Sequence, residues 1–326
     1  MSSAAISLVA VLAVIYGVKH AAEHGLGSVA ALALAGGLVL GALFARRQRS
    51  LADPLIDLRL FRVPAFCVAL AANTLAIFVI SGAFLFITQY MQLALGLSAL
   101  EAGLWMPPSA GAFVAGSMLA PVLARRLSAA RVVRAGLVLA AAGLFVLTRI
   151  DDASSLALLL TASLLMDSGL ALVFVLGTDL IVGSAPPERA GAASAISETG
   201  AELGGALGIA ILGSIGAAVY RSEMAGAVPA DAPLAAAEAA RDTLGGAVDA
   251  ADQLPAGMLD VAVSAFTHGL QIASGLTAVL ALGVALVSAW LLREGPASPV
   301  EGAVAATGAA AGDRARCPGL VVPQES

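Results

Sequence analysis

Apolar residues run through this chain in eight long stretches, separated by short polar or charged connectors. Helical stretches of about 20 apolar residues suffice to cross the hydrocarbon core of a bilayer. The first two stretches are shorter, but each can extend into its flank. The pattern therefore predicts an all-α polytopic membrane protein with about eight transmembrane helices. They are Ala4–Val18, Val29–Ala45, Ala65–Met91, Ala102–Ala124, Ala130–Thr148, Leu156–Val182, Ala190–Tyr220 and Val261–Leu292.

Composition favours the same class. Apolar residues make up 60% of the chain and charged residues 12%, whereas soluble domains have about 45–50% and 25%. Cys67 and Cys317 are too far apart to suggest a redox or metal-ligand motif. His20–His24 matches the H-x-x-E-H zinc-protease pattern literally, but it closes a short span and lacks a further ligand. We expect no enzyme activity, metal, cofactor or nucleic-acid partner.

Basic residues sort to alternate connectors. With eight crossings and the N-terminus in the cytoplasm, 13 of the 17 lysines and arginines lie inside, as the positive-inside rule requires. The sequence therefore predicts a multi-pass protein of the cell membrane with both termini cytoplasmic. The inside set is Arg46, Arg47, Arg49, Arg59, Arg62, Arg125, Arg126, Arg131, Arg134, Arg189, Arg293, Arg314 and Arg316, and the outside set is Lys19, Arg149, Arg221 and Arg241.

The connectors divide the chain into four parts. Residues 1–45 hold two helices, and 46–64 form a basic, proline-bounded cytoplasmic connector. Residues 65–293 hold six helices, with a long outer loop at 221–260 that contains a short amphipathic helix. Residues 294–326 are poor in large apolar side chains, so we expect a disordered cytoplasmic tail.

The seventh stretch carries two carboxylates, Glu198 and Glu202, at membrane depth. Each ionised carboxylate costs at least about 2.5 kcal/mol to insert. The two glutamates are one helical turn apart and share a face with Ser194. One interpretation is that they face a cavity, where they hold protons or meet a cation. The alternative is that both are hydrogen-bonded to neighbouring helices as a structural link.

Three glycines follow another side of the same stretch. Gly200, Gly204 and Gly208 repeat every four residues, about 200° around the helix from Glu198. This doubled G-x-x-x-G spacing allows a neighbouring helix to approach closely. We therefore expect one face of this helix to pack and the other to present carboxylates.

Other polar residues inside the stretches are weaker candidates. Asp167 is either a third carboxylate of the cavity or a locally hydrogen-bonded side chain. Gln89, Gln92 and Trp105 are cavity-lining candidates near helix ends, and a proline pair after Trp105 indicates a kink or break. Asp179 is also a cavity candidate, although its position near a helix end equally fits a structural role.

Several segments resemble one transporter family. FITQYMQLALGLSALEAGLWMPPSAG (Phe86–Gly111) and TDLIVGSAPPERAGAASAISETGAELGGALGIAILGS (Thr178–Ser214) resemble the C-terminal part of 14-helix drug–proton antiporters of the major facilitator superfamily. VIYGVKHAAEHG (Val14–Gly25) and DPLIDLRLFR (Asp53–Arg62) resemble its two linker helices and their connector. GSMLAPVLARRLSAARVV (Gly116–Val133) is similar to a degenerate copy of its cytoplasmic loop motif.

The resemblance implies that the chain corresponds to helices seven to fourteen. It implies a secondary transporter that exports lipophilic cationic drugs in exchange for protons, with Glu198 and Glu202 in cation recognition and coupling. A truncated C-terminal portion, or a separate polypeptide supplying the N-terminal half, would then be expected. The alternative is a non-transporting membrane protein, either an inert remnant or a scaffold that packs against a complete transporter.

Overall fold

The computed structural model describes residues 2–24, 27–48, 59–151, 156–228 and 232–291, and all regular structure in these ranges is helical. Residues 294–326 and much of the connector 46–64 lie outside the described residues. The helices are α1 (Ser2–His24), α2 (Ser28–Gln48), α3 (Pro64–Gln89), α4 (Ala99–Leu104), α5 (Pro107–Arg126), α6 (Ala129–Leu147), α7 (Leu156–Gly183), α8 (Ala190–Ala227), α9 (Leu234–Asp242), α10 (Leu244–Asp249) and α11 (Met258–Leu291).

Seven helical segments in the described ranges are long and apolar enough to cross a membrane. The first predicted span corresponds to α1, whose apolar part has 17 residues, Ala5–Ala21. That part is about 26 Å long, somewhat less than a bilayer core needs. The predicted all-α polytopic membrane protein is confirmed, with seven full-length spans and one shorter apolar helix.

Six long helices form a bundle, which also contains the main apolar core. We call the end where α3 begins the base and the opposite end the top. Within this bundle the most extensive helix contacts are α6 with α7, α3 with α8, α5 with α7, and α11 with both α6 and α8. Helices α1 and α2 form a hairpin, and α1 contacts α8. A smaller apolar cluster at the base consists of Leu60, Phe66, Ala69, Ile181, Ala193 and Ile196.

The contact between α3 and α8 is unusually close because α8 presents glycines to it. A Cβ atom on Gly204 would overlap the Thr74 carbonyl oxygen, and one on Gly208 would overlap the Phe78 carbonyl oxygen. Gly200 lies farther along the same face, near the Thr74 hydroxyl. The backbones therefore touch directly, which is how small residues stabilise helix pairs in membranes.

The fourth predicted span is broken near the top. Helix α4 begins at a capping box, in which Ser98 Oγ accepts a hydrogen bond from the Glu101 amide and the Glu101 carboxylate accepts one from the Ser98 amide. The helix ends at Leu104, Trp105 follows as its C-cap, and α5 begins at Pro107. A proline suits the first turn of a helix because its missing N–H would be unsatisfied there. The break thus lies where the proline pair indicates it.

The top connection differs from the predicted loop at 221–260. Helix α8 continues to Ala227 and α11 begins at Met258, so the connection is shorter. Polar residues such as Arg221 can end a membrane span without ending a helix, which accounts for this difference. The connection holds α9 and α10, and Thr243 Oγ1 caps α10 by accepting a hydrogen bond from the Gly246 amide at 3.0 Å.

The close α3–α8 contact makes a stability prediction. Gly208→Ala should lower the free energy of unfolding in detergent by about 1–3 kcal/mol, because the added methyl overpacks the interface. Gly191→Ala is the matched control, since it lies on the same helix with open space around its Cβ position. Equal denaturant midpoints for the two variants would contradict the close approach.

Candidate functional site

The carboxylates of Glu198 and Glu202 lie on a face of α8 that the described part of the chain leaves exposed. Both side chains are exposed, as are Ser194 and Ala206 on the same stripe. Within the described residues neither carboxylate has a hydrogen-bond or ion-pair partner. The two side chains are about 6 Å apart along the helix axis. We call this stripe, from Ser194 to Ala206, the carboxylate face.

The orientation of this face follows from what the opposite side of α8 contacts. Gly204 and Gly208 are buried against α3. One residue before Glu198, the buried Ser197 Oγ accepts a hydrogen bond from Asn73 Nδ2 at 3.3 Å. This link fixes the rotation of α8 about its own axis. Sequence reasoning did not select Ser197, because its importance depends on which α3 residue faces it.

Asp167 occupies a different place, between α7 and α5. Its carboxylate is half-buried and interacts with the Ser109 side chain of α5, whose hydroxyl also donates a hydrogen bond to the Met106 carbonyl oxygen at 3.2 Å. Phe113 and Phe174 pack nearby across the same helix pair, with ring centroids 6.4 Å apart. No hydrogen bond or ion pair joins Asp167 to the glutamates of α8 among the described residues.

The four remaining cavity candidates do not lie together. Gln89 and Gln92 are half-buried at the top end of α3, and Trp105 is 42% exposed at the break between α4 and α5. Asp179 is exposed near the base end of α7, two residues from Gly177, which faces Asn73 of α3. Gln89 is about 24 Å along α3 from Asn73. The four candidates are therefore spread along much of the length of the bundle.

The top of α8 is tied to the connection that follows it. The buried Tyr220 hydroxyl donates a hydrogen bond to the Ala240 carbonyl oxygen at 2.8 Å. Arg241 donates to the Val228 carbonyl oxygen at 3.2 Å, and Glu223 pairs with His268 of α11. These contacts hold α9 against the end of α8. Sequence reasoning missed these contacts because they depend on how the chain turns back after α8.

The residues that the structure describes contain no group of three or more histidine, cysteine, aspartate or glutamate side chains suited to hold a metal ion. The chemistry available on the carboxylate face is therefore that of two neighbouring carboxyl groups, which exchange protons and attract cations.

Comparison with known proteins identifies the family. A model described as the Major Facilitator Superfamily matches residues 1–209. The chain belongs to the Major Facilitator Superfamily. The matched region includes α1 to α7 and α8 as far as Ile209, so both glutamates of the carboxylate face fall within it.

Several curated members of this superfamily are similar to the chain. The multidrug efflux pump LfrA of Mycolicibacterium smegmatis is 37% identical over 289 residues, which is 87% of this chain and 57% of that protein. The methyl viologen resistance protein SmvA of Salmonella typhimurium is 31% identical over 88% of this chain and 59% of its own length. The tetracenomycin C resistance and export protein of Streptomyces glaucescens is 30% identical over 85% of this chain and 54% of its own length. The chain thus spans little more than half the length of these relatives.

Proposed function

We propose that this chain is part of a secondary transporter that exports lipophilic cationic drugs in exchange for protons. The observation that carries the proposal is the carboxylate face of α8, where Glu198 and Glu202 lie at membrane depth without a partner in the described chain. The relatives named above as drug efflux and resistance proteins support this class of substrate.

The chemistry rests on competition between a proton and a cation for the same carboxyl groups. An ionised carboxylate is costly inside a membrane unless it is neutralised or meets a cation. Proton binding and cation binding both remove that cost, so each displaces the other. Glu202 is about 18 Å along α8 from its base end and Glu198 about 12 Å. We propose Glu202 as the principal coupling residue because it is the deeper of the two.

The carboxylate face also implies a further group of helices. If this face were exposed to lipid, the insertion of two ionised, unpaired carboxylates into the membrane would cost several kcal/mol of free energy. We propose that a second transporter half, on the same or a separate polypeptide, covers this face and encloses a cavity. Substrate paths in such transporters lie between two repeats. Asp167, bound by Ser109, then acts as a structural link between α5 and α7.

A binding experiment tests the role of Glu202. Propidium and ethidium share one fluorescent ring system but carry two charges and one charge, respectively. For the full chain in detergent, Glu202→Gln should weaken propidium binding by about tenfold, as loss of a charged contact typically does. Ethidium binding should weaken less, because the monocation needs only one of the two carboxylates.

Two variants serve as controls for this measurement. Glu188→Gln removes an exposed carboxylate just before α8 and should leave propidium binding unchanged. Glu198→Gln should have a smaller effect than Glu202→Gln. Unchanged propidium binding in Glu202→Gln would refute the proposed role, and would favour the alternative of a scaffold that does not transport.

We also propose that the base of the bundle faces the cytoplasm. The basic residues Arg125, Arg126 and Arg131 lie at the base, as the positive-inside rule requires. In a variant with both native cysteines replaced by serine, Thr243→Cys should react with a membrane-impermeant maleimide on intact cells. Ser128→Cys should react only after permeabilisation. The reverse labelling pattern would invert the orientation.

A further inference from the structure

A cleft of about 700 Å³ lies at the top of the molecule, between the end of α1, the outer half of α8 and the residues that join α9 to α10. Its volume is within the range of about 300–1,000 Å³ that is typical of small-molecule sites. The cleft adjoins the carboxylate face at Ala206, one turn above Glu202, but neither glutamate lines it. It is therefore a candidate site in its own right.

The floor of the cleft is a strip of small and apolar side chains on α8. It runs from Ala206 to Ala217, about 16 Å along the helix, and includes Ile209, Ala210 and Gly213. Small side chains let a ligand approach the backbone of the helix closely. A flat apolar molecule that lies along this strip can therefore make many van der Waals contacts with it.

The charged side chains at the rim have partners within the chain. Arg221 and Asp242 form an ion pair at 3.6 Å. Lys19 also has an interaction partner, and Arg221 has a further one. An ionic ligand would have to compete with these partners, so the cleft favours an uncharged one.

One hydroxyl group in the cleft is available to a ligand. Serines in helices commonly donate a hydrogen bond to the carbonyl oxygen one turn earlier, as Ser194 of α8 does to Ala190 at 3.1 Å. Ser214 is half-buried and lines the cleft, and its hydroxyl makes no hydrogen bond to the residues that the structure describes. Burial of a hydroxyl without a partner costs about 1–3 kcal/mol. A ligand that accepts a hydrogen bond from Ser214 avoids this cost.

We propose that this cleft binds an uncharged aromatic ketone or ester. The aromatic rings lie on the strip from Ala206 to Ala217, and the Ser214 hydroxyl donates a hydrogen bond to the carbonyl oxygen of the ligand. The proposal goes beyond the export of cations, because this ligand has no charge for Glu198 or Glu202 to bind.

Photolabelling with benzophenone tests the proposal, because benzophenone is an uncharged aromatic ketone that forms adducts at C–H bonds when irradiated. The full chain is reconstituted in lipid nanodiscs and irradiated at increasing benzophenone concentrations, and the adducts are located by mass spectrometry. We expect labelling between residues 206 and 217 to saturate. Labelling of exposed α2 residues such as Leu32 and Leu38 should not saturate, because lipid-facing side chains meet the probe only as it partitions into the bilayer.

Two competitors that are not photoreactive measure the contribution of the hydrogen bond. Phenyl benzoate and bibenzyl both join two phenyl rings through two atoms, but only phenyl benzoate has a carbonyl oxygen. At matched concentrations in the bilayer, phenyl benzoate should protect residues 206–217 about fivefold more strongly, which is the factor that one neutral hydrogen bond contributes. In Ser214→Ala the two competitors should protect equally. Ser222→Ala removes an exposed serine of α8 outside the cleft and should keep the fivefold difference.

A second pair of variants tests the floor of the cleft. The Cβ position of Gly213 is 3.4 Å from the Leu85 side chain and otherwise open. Gly213→Leu should therefore fill the floor and abolish saturable labelling while Ser214 stays in place. Gly226→Leu is the matched control, because it lies on the same helix, outside the cleft, with open space around its Cβ position. It should be labelled as the unmodified chain is.

Three results would overturn the proposal. One is labelling of residues 206–217 that does not saturate, which would show that the probe meets α8 only from the lipid. Another is equal protection by phenyl benzoate and bibenzyl in the unmodified chain. The third is loss of saturable labelling in a variant with both Glu198→Gln and Glu202→Gln, which would place the probe on the carboxylate face. Because the expected labelling persists without either glutamate, this proposal and the cation-exchange proposal can fail separately.

Discussion

The direct backbone contact between α3 and α8 determines where the chemistry of this protein lies. Gly204 and Gly208 bring α8 so close to Thr74 and Phe78 that any larger side chain would overlap a carbonyl oxygen. Packing one face of a helix against a neighbour sets the rotation of that helix about its own axis. This contact therefore directs Glu198 and Glu202 to the opposite side of α8. The Asn73–Ser197 hydrogen bond fixes the same rotation from a neighbouring position.

The polar groups within the long helices are of two types. Groups such as Asp167 and Tyr220 lie between helices and have partners in the described chain, so they stabilise the bundle. The glutamates of α8 have none there, although burial in hydrocarbon without one costs several kcal/mol. A polar group with a structural role has its hydrogen-bond partners within the fold. A polar group with a transport role must stay available for protons and substrate. On this distinction the glutamates of α8 differ from Asp167 and Tyr220.

Sequence reasoning reached much of the fold because membrane helices have a strong length and polarity signal. The positions of the spans, the break before Pro107 and the opposed faces of α8 all follow from helical periodicity and known side-chain chemistry. The full length of α8, the anchoring of α9 through Tyr220 and the pairing of Asp167 with Ser109 did not follow. Each depends on which distant residue a helix meets, and periodicity within one helix holds no information about that. For the same reason Gln89 and Asp179, both plausible cavity residues in sequence, lie near opposite ends of the bundle.

The central claim is that one pair of carboxyl groups on α8 exchanges protons for cations. Proton release during propidium binding tests it most directly, measured with a pH-sensitive dye in a weakly buffered solution of the full chain. The account predicts that the unmodified chain releases protons as propidium binds, and that a variant with both Glu198→Gln and Glu202→Gln releases none. Saturable propidium binding by the unmodified chain without proton release would contradict the account.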